Sequence, residues 1–585
     1  MKKQLSWKVG GQQGEGIDSA GEILSTALNR KGYYLYGYRH FSSRIKGGHS
    51  NTKLRISVNP VRSISDELDI LVAFDQETID FNAGELVPNG IIIADSKFNP
   101  TVPEGVSARL IAVPFTKIAE EVGMAQMKNM VAVGASTALL GVPIDAFREV
   151  LEERFAKKGQ KIVEKNLEAI ARGKEFVESE LPDTSEHRLE KSDGKTRLYM
   201  IGNDAIAFGA LAAGARLMAA YPITPSSEIM EWLIKRLPEF GGTVVQTEDE
   251  IAAITMVIGA NYGGVRTLTA SAGPGLSLMT EAIGLSGMTE TPAVIVNTQR
   301  GGPSTGLPTK QEQSDLLAML FSTHGEIPKI VIAPSTAEEC FYDTIEAFNL
   351  AEQYQCPVII LTDLALSLGK QTVEPLDYDR IQINRGKLVP DDEELPALAN
   401  SELFPRYGFT EDGISRRVLP GKKYGLHHVT GVEHDETGRP SESTTNRVKM
   451  MNKRLGKLKN GINFSNPVHL DSKYNDADVL LIGFNSTRGT IAEAMERLEA
   501  EGMKVNHAHI RQILPFPTQI IAEEMKKARK VVVVENNATG QLASVIKMQV
   551  GMAEKIVPFG KYNGNPFLPS EIYKQCKELL VHGNI

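Results

Sequence analysis

The sequence predicts an α/β protein of three doubly wound domains, and three observations carry that prediction. Short uninterrupted apolar runs at 70–74, 91–94, 293–296 and 531–534 are bounded by polar or turn residues, as expected of strands buried on both faces of a sheet. Segments with helical apolar spacing, such as 17–28 and 337–354, alternate with these runs. Charged, proline-punctuated stretches at 181–197 and 371–467 interrupt the alternation, so the 585 residues divide among separate cores.

Composition narrows the function. Apolar residues make up 42% of the chain and charged residues 23%, with a net charge of -8. No Lys/Arg cluster is present, so neither nucleic acid nor an anionic membrane is an expected partner. The start, Met1-Lys2-Lys3-Gln4-Leu5, leads into a strand-like run without the apolar core of a signal peptide, and no apolar run is long enough to span a bilayer. A cytoplasmic protein is expected. The three cysteines, Cys340, Cys356 and Cys576, are scattered and expected to be buried. They form neither a disulfide framework nor the four ligands of an iron–sulfur cluster, so any cluster is held elsewhere.

Residues 1–180 form the first expected domain. Its first strand runs into Gly10-Gly11-Gln12-Gln13-Gly14-Glu15-Gly16, ahead of a helix. Such a turn either offers backbone N–H groups to a phosphate or permits a tight strand-to-helix reversal; the spacing fits Gly-x-Gly-x-x-Gly only loosely. A second patch, Phe41-Ser42-Ser43-Arg44-Ile45-Lys46-Gly47-Gly48-His49-Ser50, reads as an anion site or a subunit contact. Residues 181–197 read as a linker. A second doubly wound domain is expected over 198–370, with strands at 198–201, 217–220, 243–246, 266–269, 293–297, 330–333 and 358–361. Its ligands belong beyond the carboxyl ends of those strands. The stretch 371–467 is expected to be an irregular crossover, with a turn at 435–438 and ordinary surface histidines at 427, 428 and 434. A third α/β unit, 468–585, carries Glu535-Asn536-Asn537-Ala538-Thr539-Gly540-Gln541-Leu542 at a strand end, either a contact site or a capped turn.

Four motifs fall at strand ends of the central domain. In Tyr221-Pro222-Ile223-Thr224-Pro225-Ser226-Ser227, the flanking prolines stiffen the loop that presents Thr224, although a plain turn before a helix reads equally well. Thr247-Glu248-Asp249-Glu250 fits a capping box in which Thr247 caps the helix and Glu250 reaches back. Ser271-Ala272-Gly273-Pro274-Gly275 is a strand-to-helix turn. Arg300, in Gln299-Arg300-Gly301-Gly302-Pro303-Ser304, can grip a carboxylate or stay solvated, and Lys310 is a second cation of the same kind.

In order and spacing these motifs resemble the alpha subunit of 2-oxoacid:ferredoxin oxidoreductases. The 10–16 and 44–49 patches resemble that family's gamma domain, fused here at the N-terminus, and the segment around 535–542 resembles its transketolase C-terminal-like domain. The resemblance implies that the central domain is of the pyrimidine-binding type and shares thiamine diphosphate with a separate beta subunit. It implies that Glu250, with Glu248 as the fallback, bonds the aminopyrimidine, and that Tyr221, Pro222, Ile223 and Ser271 line the cofactor. Thr224 and Arg300 would hold the substrate, with Lys310 favouring a dicarboxylate such as 2-oxoglutarate over pyruvate, branched or aromatic 2-oxoacids. Gly11, Gly14, Gly16, Arg44 and Lys46 would meet coenzyme A or a subunit. The chain lacks Gly-Asp-Gly followed at about thirty residues by Asn-Asn, the family pattern that holds the diphosphate through a divalent metal. Mg2+ and [4Fe-4S] clusters are therefore expected in the beta subunit, which passes electrons to ferredoxin in a heterodimer or its dimer. A nucleotide-dependent dehydrogenase and a non-catalytic scaffold are the competing readings.

Overall fold

The computed structural model describes residues 1–42, 48–397 and 402–582. The chain forms two compact units. The first comprises Met1–Ile201, Leu368–Leu376 and Leu568–Ile572; the second comprises Gly202–Ser367, Asp377–Phe567 and the residues from Tyr573 on.

An eight-stranded sheet organises the first unit, in the order Ala108–Val113, Leu86–Asp95, Leu68–Ala73, Gln4–Gln12, His49–Ser57, Tyr34–His40, Lys370–Val373 and Leu198–Ile201. The first four strands run parallel and the remaining pairs are antiparallel, so only half of this sheet follows the expected parallel winding. Two expectations change here. The 181–197 stretch runs along the unit rather than away from it, because Lys2 N–H donates to Arg188 O at 2.7 Å and Glu190 N–H to Lys2 O at 2.9 Å. The strand Leu198–Ile201 completes this first sheet instead of opening the second domain, because its partner, Lys370–Val373, lies about 170 residues further on.

The second unit holds two sheets. Gln512–Leu514, Ile330–Ile332, Pro357–Asp363, Ala293–Gln299, Thr267–Ser271, Leu217–Ala220 and Thr243–Gln246 form the larger one, parallel except for its first strand. The smaller one runs Val468–Asp471, Val505–Ile510, Ala477–Phe484, Ala528–Glu535 and Ile556–Gly560, parallel after its first strand. Leu276, Ile295 and Leu361 at the larger sheet and Ile482, Val533 and Leu542 at the smaller one belong to one continuous apolar core. Burying both sheets against a common interior removes apolar surface from water at about 25 cal/mol per Å².

The crossover is more ordered than its composition suggests. The expected turn forms, with Gly438 N–H donating to Asp435 O at 3.0 Å. A helix, Thr444–Gly456, follows it, opened by Ser443, whose hydroxyl accepts from Asn446 N–H. Two buried carboxylates hold the segment: Glu290 takes Lys453 at 2.7 Å and Lys457 at 2.6 Å, and Glu352 takes Arg266, Arg385 and Arg417. His434 is buried against the Tyr407 ring, 4.2 Å between centroids, so it is not the surface histidine expected. All three cysteines are buried. Among the described residues no helix is long and apolar enough to cross a membrane.

Candidate active site

Four neighbouring parallel strands end on the same edge of the larger sheet, and each delivers one predicted motif. Leu217–Ala220 leads to Tyr221, Thr243–Gln246 to Thr247, Thr267–Ser271 to Ala272 and Ala293–Gln299 to Arg300. Two helices start at this edge, Glu250–Tyr262 and Gly273–Met288, so their free N–H groups and positive dipole ends face the same region.

The capping box does not form. Asp249 is the N-cap, accepting from Ala252 N–H at 2.7 Å, while the Thr247 hydroxyl donates to Asp249 O. Glu250, the first helical residue, is thereby left without a capping task. It is buried, whereas Glu248 is exposed. A Cβ on Gly275 would stand 2.6 Å from Glu250 Oε1 and 2.1 Å from Ser271 Oγ, so both polar groups converge on a place that only glycine leaves open. The hydroxyls of Ser271 and Thr269 and Asn297 Oδ1 are buried with no hydrogen-bond partner among the described residues. Unsatisfied buried polar atoms of this kind are costly and mark a place for a polar ligand.

Arg300 is buried, and its guanidinium donates to two backbone oxygens, Thr224 O at 2.6 Å and Thr305 O at 3.2 Å. Its Nε is buried and has no hydrogen-bond partner among the described residues. Burial lowers the Arg300 pKa, and nearby Asp315 partly restores it. A desolvated cation tied only to carbonyls retains attraction for a carboxylate. The same bond fixes the loop that carries Thr224, which Asn203 steadies from behind by donating to Pro225 O at 2.6 Å. Tyr221 is exposed, and Pro222 and Ile223 are partly exposed on that loop.

Beside Arg300 opens a pocket of about 680 Å³. Gly273, Pro274 and Ser277 of one helix, Glu312 and Asp315 of the following loop, and Asn537, Thr539, Gln541 and Tyr562 from the smaller sheet's loops line it. Sequence reasoning found Arg300 but missed Asp315 and Glu312, which lie in an irregular stretch with no periodic signal. The 535–542 segment turns out to serve both readings: Glu535 accepts from Leu542 and Ala543 N–H at the start of a helix, while its neighbours reach the pocket. The Lys310 side chain does not line this pocket; its stem lies 3.0–3.4 Å from where a Cβ on Gly564 would be.

In the first unit, Gly10 and Gly11 lie just before the end of the strand Gln4–Gln12, and Gly14 and Gly16 take positive φ values of 101° and 87°. A Cβ on Gly16 would meet Asn129 Nδ2 at 2.7 Å, whereas Gly14 faces open space. The tight-turn reading therefore accounts for Gly16 by geometry alone. Arg44 and Lys46 lie outside the described residues.

Three family matches follow the chain. Residues 208–453 match a thiamine diphosphate-binding domain of pyruvate flavodoxin/ferredoxin oxidoreductases, residues 6–176 match a pyruvate ferredoxin/flavodoxin oxidoreductase domain, and residues 477–572 match core domain II of pyruvate:ferredoxin oxidoreductase. The site fits the cofactor the first match implies: a buried carboxylate with no capping role, beside hydroxyls unpaired among the described residues, at the heads of two helices, suits a nitrogen heterocycle with several donors and acceptors. The chain is 35% identical to a Sulfolobus sp protein described as 2-oxoacid:ferredoxin oxidoreductase subunit alpha, over 99% of this chain and 98% of that one. It is 31% identical to the 2-oxoglutarate oxidoreductase subunit KorA of Mycobacterium tuberculosis, over 98% of this chain and 91% of the other. A solved 2-oxoglutarate:ferredoxin oxidoreductase from Magnetococcus marinus, with 2-oxoglutarate, coenzyme A and succinyl-CoA bound, matches with a TM-score of 0.92 at 35% identity, over 99% of this chain and 100% of that one. With fold, motif order and full-length similarity in agreement, the protein belongs to the alpha subunits of the thiamine diphosphate-dependent 2-oxoacid:ferredoxin oxidoreductases.

Proposed function

We propose that this chain, paired with a beta subunit, converts a 2-oxoacid and coenzyme A to acyl-CoA and CO2 in the cytoplasm and passes the electrons to ferredoxin, and that 2-oxoglutarate is its substrate. The observation that carries the reading is Glu250: a buried carboxylate with no capping role, at the head of a helix that has no other charge. Thiamine diphosphate, shared with the beta subunit, supplies when bound the nucleophilic carbon and the electron sink for decarboxylation. Glu250 holds a proton at the aminopyrimidine ring nitrogen, and Ser271 packs beside it. Tyr221, Pro222 and Ile223 form the stiff loop along the cofactor. Arg300 takes the substrate carboxylate, and Thr224, fixed by the Arg300 bond to its carbonyl, orients the 2-oxo group.

The need for a partner is supported by the surface around Glu250. The helices Glu250–Tyr262 and Gly273–Met288 carry a single charged residue each, yet Ile251 is 50% exposed and Leu278 51%. Helices apolar on nearly every side belong in an interior, and a second chain over this face gives them one. That chain also supplies Mg2+ and the [4Fe-4S] clusters. The choice of 2-oxoglutarate is supported by the relatives above; Lys310, whose burial lowers its pKa, has its stem against Gly564 and its side chain outside the Arg300 pocket. Gly11, Gly14 and Gly16, with Arg44 and Lys46, would meet coenzyme A or a neighbouring subunit.

Glu250→Gln preserves size and should leave the two-subunit complex assembled while lowering turnover by at least about 100-fold. Unchanged turnover would move the role to Glu248 or point to a scaffold. Profiling 2-oxoacids on the wild-type complex should give the highest kcat/KM for 2-oxoglutarate; a preference for pyruvate overturns the substrate assignment.

A further inference from the structure

Asp315 has no part in the roles assigned above, and it is placed as though it should. It stands at the head of the short helix Leu316–Phe321 without capping it. Both carboxyl oxygens instead lie 3.0 Å from where a Cβ on Gly273 would stand, against the first turn of the Gly273–Met288 helix. Asn297 Nδ2 donates to Oδ2 at 3.2 Å, and the Asp315 N–H is fixed by Gln299 Oε1 at 3.0 Å. The carboxyl lines the same pocket as Arg300.

We propose that Asp315 sets the anionic charge this pocket admits, by holding a proton whenever a substrate carboxylate lies beside Arg300. The proposal rests on the reading that Arg300 takes the substrate carboxylate. With Asp315 and Glu312 ionised, the pocket carries two negative charges against one guanidinium and repels an anion; with Asp315 protonated, the charges of Arg300 and Glu312 cancel. The neighbouring elements supply the following charges. Among the described residues Arg300 is the only cation lining the pocket, and Glu312 is its other carboxylate. The first turn of the Gly273 helix has no acid, and the helix Leu316–Phe321 has no ionisable residue. The loops of the smaller sheet present Asn537, Thr539 and Gln541 and the phenol of Tyr562. A further carboxylate, Glu250, lies against Gly275 of the Gly273 helix. The group is also tuned for the task. Burial pushes the Asp315 carboxyl up to about 6, against the pull of Asn297 and Arg300, and Glu312 pushes in the same direction as burial. Binding an anion raises it further, so binding takes up a proton.

The test is calorimetry on the complex of this chain with its beta subunit, using 2-hydroxyglutarate as an unreactive probe, in two buffers of different ionisation heat. For the wild type, Kd should weaken about tenfold from pH 6 to pH 8, with net proton uptake above pH 6. In Asp315→Asn the change should fall below about twofold, proton uptake should vanish, and Kd at pH 8 should be tighter than in the wild type. Asp315→Glu should restore the slope with a displaced midpoint, which covers the case of a misfolded Asn variant. An Asp315→Asn variant that keeps the wild-type slope, or an unmoved midpoint in Asp315→Glu, overturns the proposal and leaves the function standing. Failure of the wild-type complex to bind the probe at any pH overturns the reading of Arg300 and this inference with it.

Discussion

Among single side chains, the start of the Glu250–Tyr262 helix divides labour between neighbouring acids. Asp249 caps and Glu250 does not. Asp249→Ala should therefore cost about 1 kcal/mol of stability with modest effect on substrate affinity, read by thermal melting beside kinetics; Glu250→Gln should show the reverse, little change in melting and loss of turnover. Thr224, Glu250 and Arg300 were legible in the sequence because each follows an apolar strand run at a countable distance, and a parallel sheet brings such positions to one edge. Which residue would cap was not legible, since Thr247 and Asp249 both suit the cap and a shift of two residues in the helix start decides between them. Asp315 left no trace at all: its importance comes from Gly273, 42 positions earlier, and from Asn297 in another strand.

At the level of elements, the crossover owes its order to ion clusters. Glu290 is fully buried and is the carboxylate that both Lys453 and Lys457 bind. Burial lowers the pKa of Lys453 to about 8, and the two lysines hold Glu290 well below the usual carboxylate range although desolvation alone would raise it. Glu290→Ala strands two buried ammonium groups and should destabilise the second unit by about 3–5 kcal/mol, seen as a lowered melting temperature and early proteolysis near 444–456. The helix there, Thr-Thr-Asn-Arg-Val-Lys-Met-Met-Asn-Lys-Arg-Leu-Gly, was hidden by its polar composition, although Ser443 before a run of good helix formers was an available signal. The strand Lys370–Val373 offered no comparable cue: four residues have no measurable period, and its partners are fixed by the fold.

At the scale of the molecule, such clusters add up to a pH response. Glu290, Glu339 and Glu433 are all held below the ordinary glutamate value in the folded state, Glu433 at about 2, by hydrogen bonds and charges from Lys, Arg and His that outweigh desolvation. A depressed folded pKa contributes stability that is full above the unfolded value near 4.5 and is lost as pH falls through the folded one. The melting temperature should therefore hold from neutrality to about pH 5 and drop steeply between about pH 4.5 and 2; a flat profile across that range contradicts the assignment. The first unit's sheet has a consequence of another kind. Its last two strands, Lys370–Val373 and Leu198–Ile201, come from sequence beyond the 181–197 stretch, and Ile201 pairs with Lys370 across the excursion between them. A gene cut at that stretch would yield two polypeptides that must find each other to close one sheet, so an intramolecular pairing of fixed effective concentration would become a bimolecular equilibrium. Expressed alone, residues 1–180 would present the Tyr34–His40 strand as a bare edge, ready to recruit any extended chain.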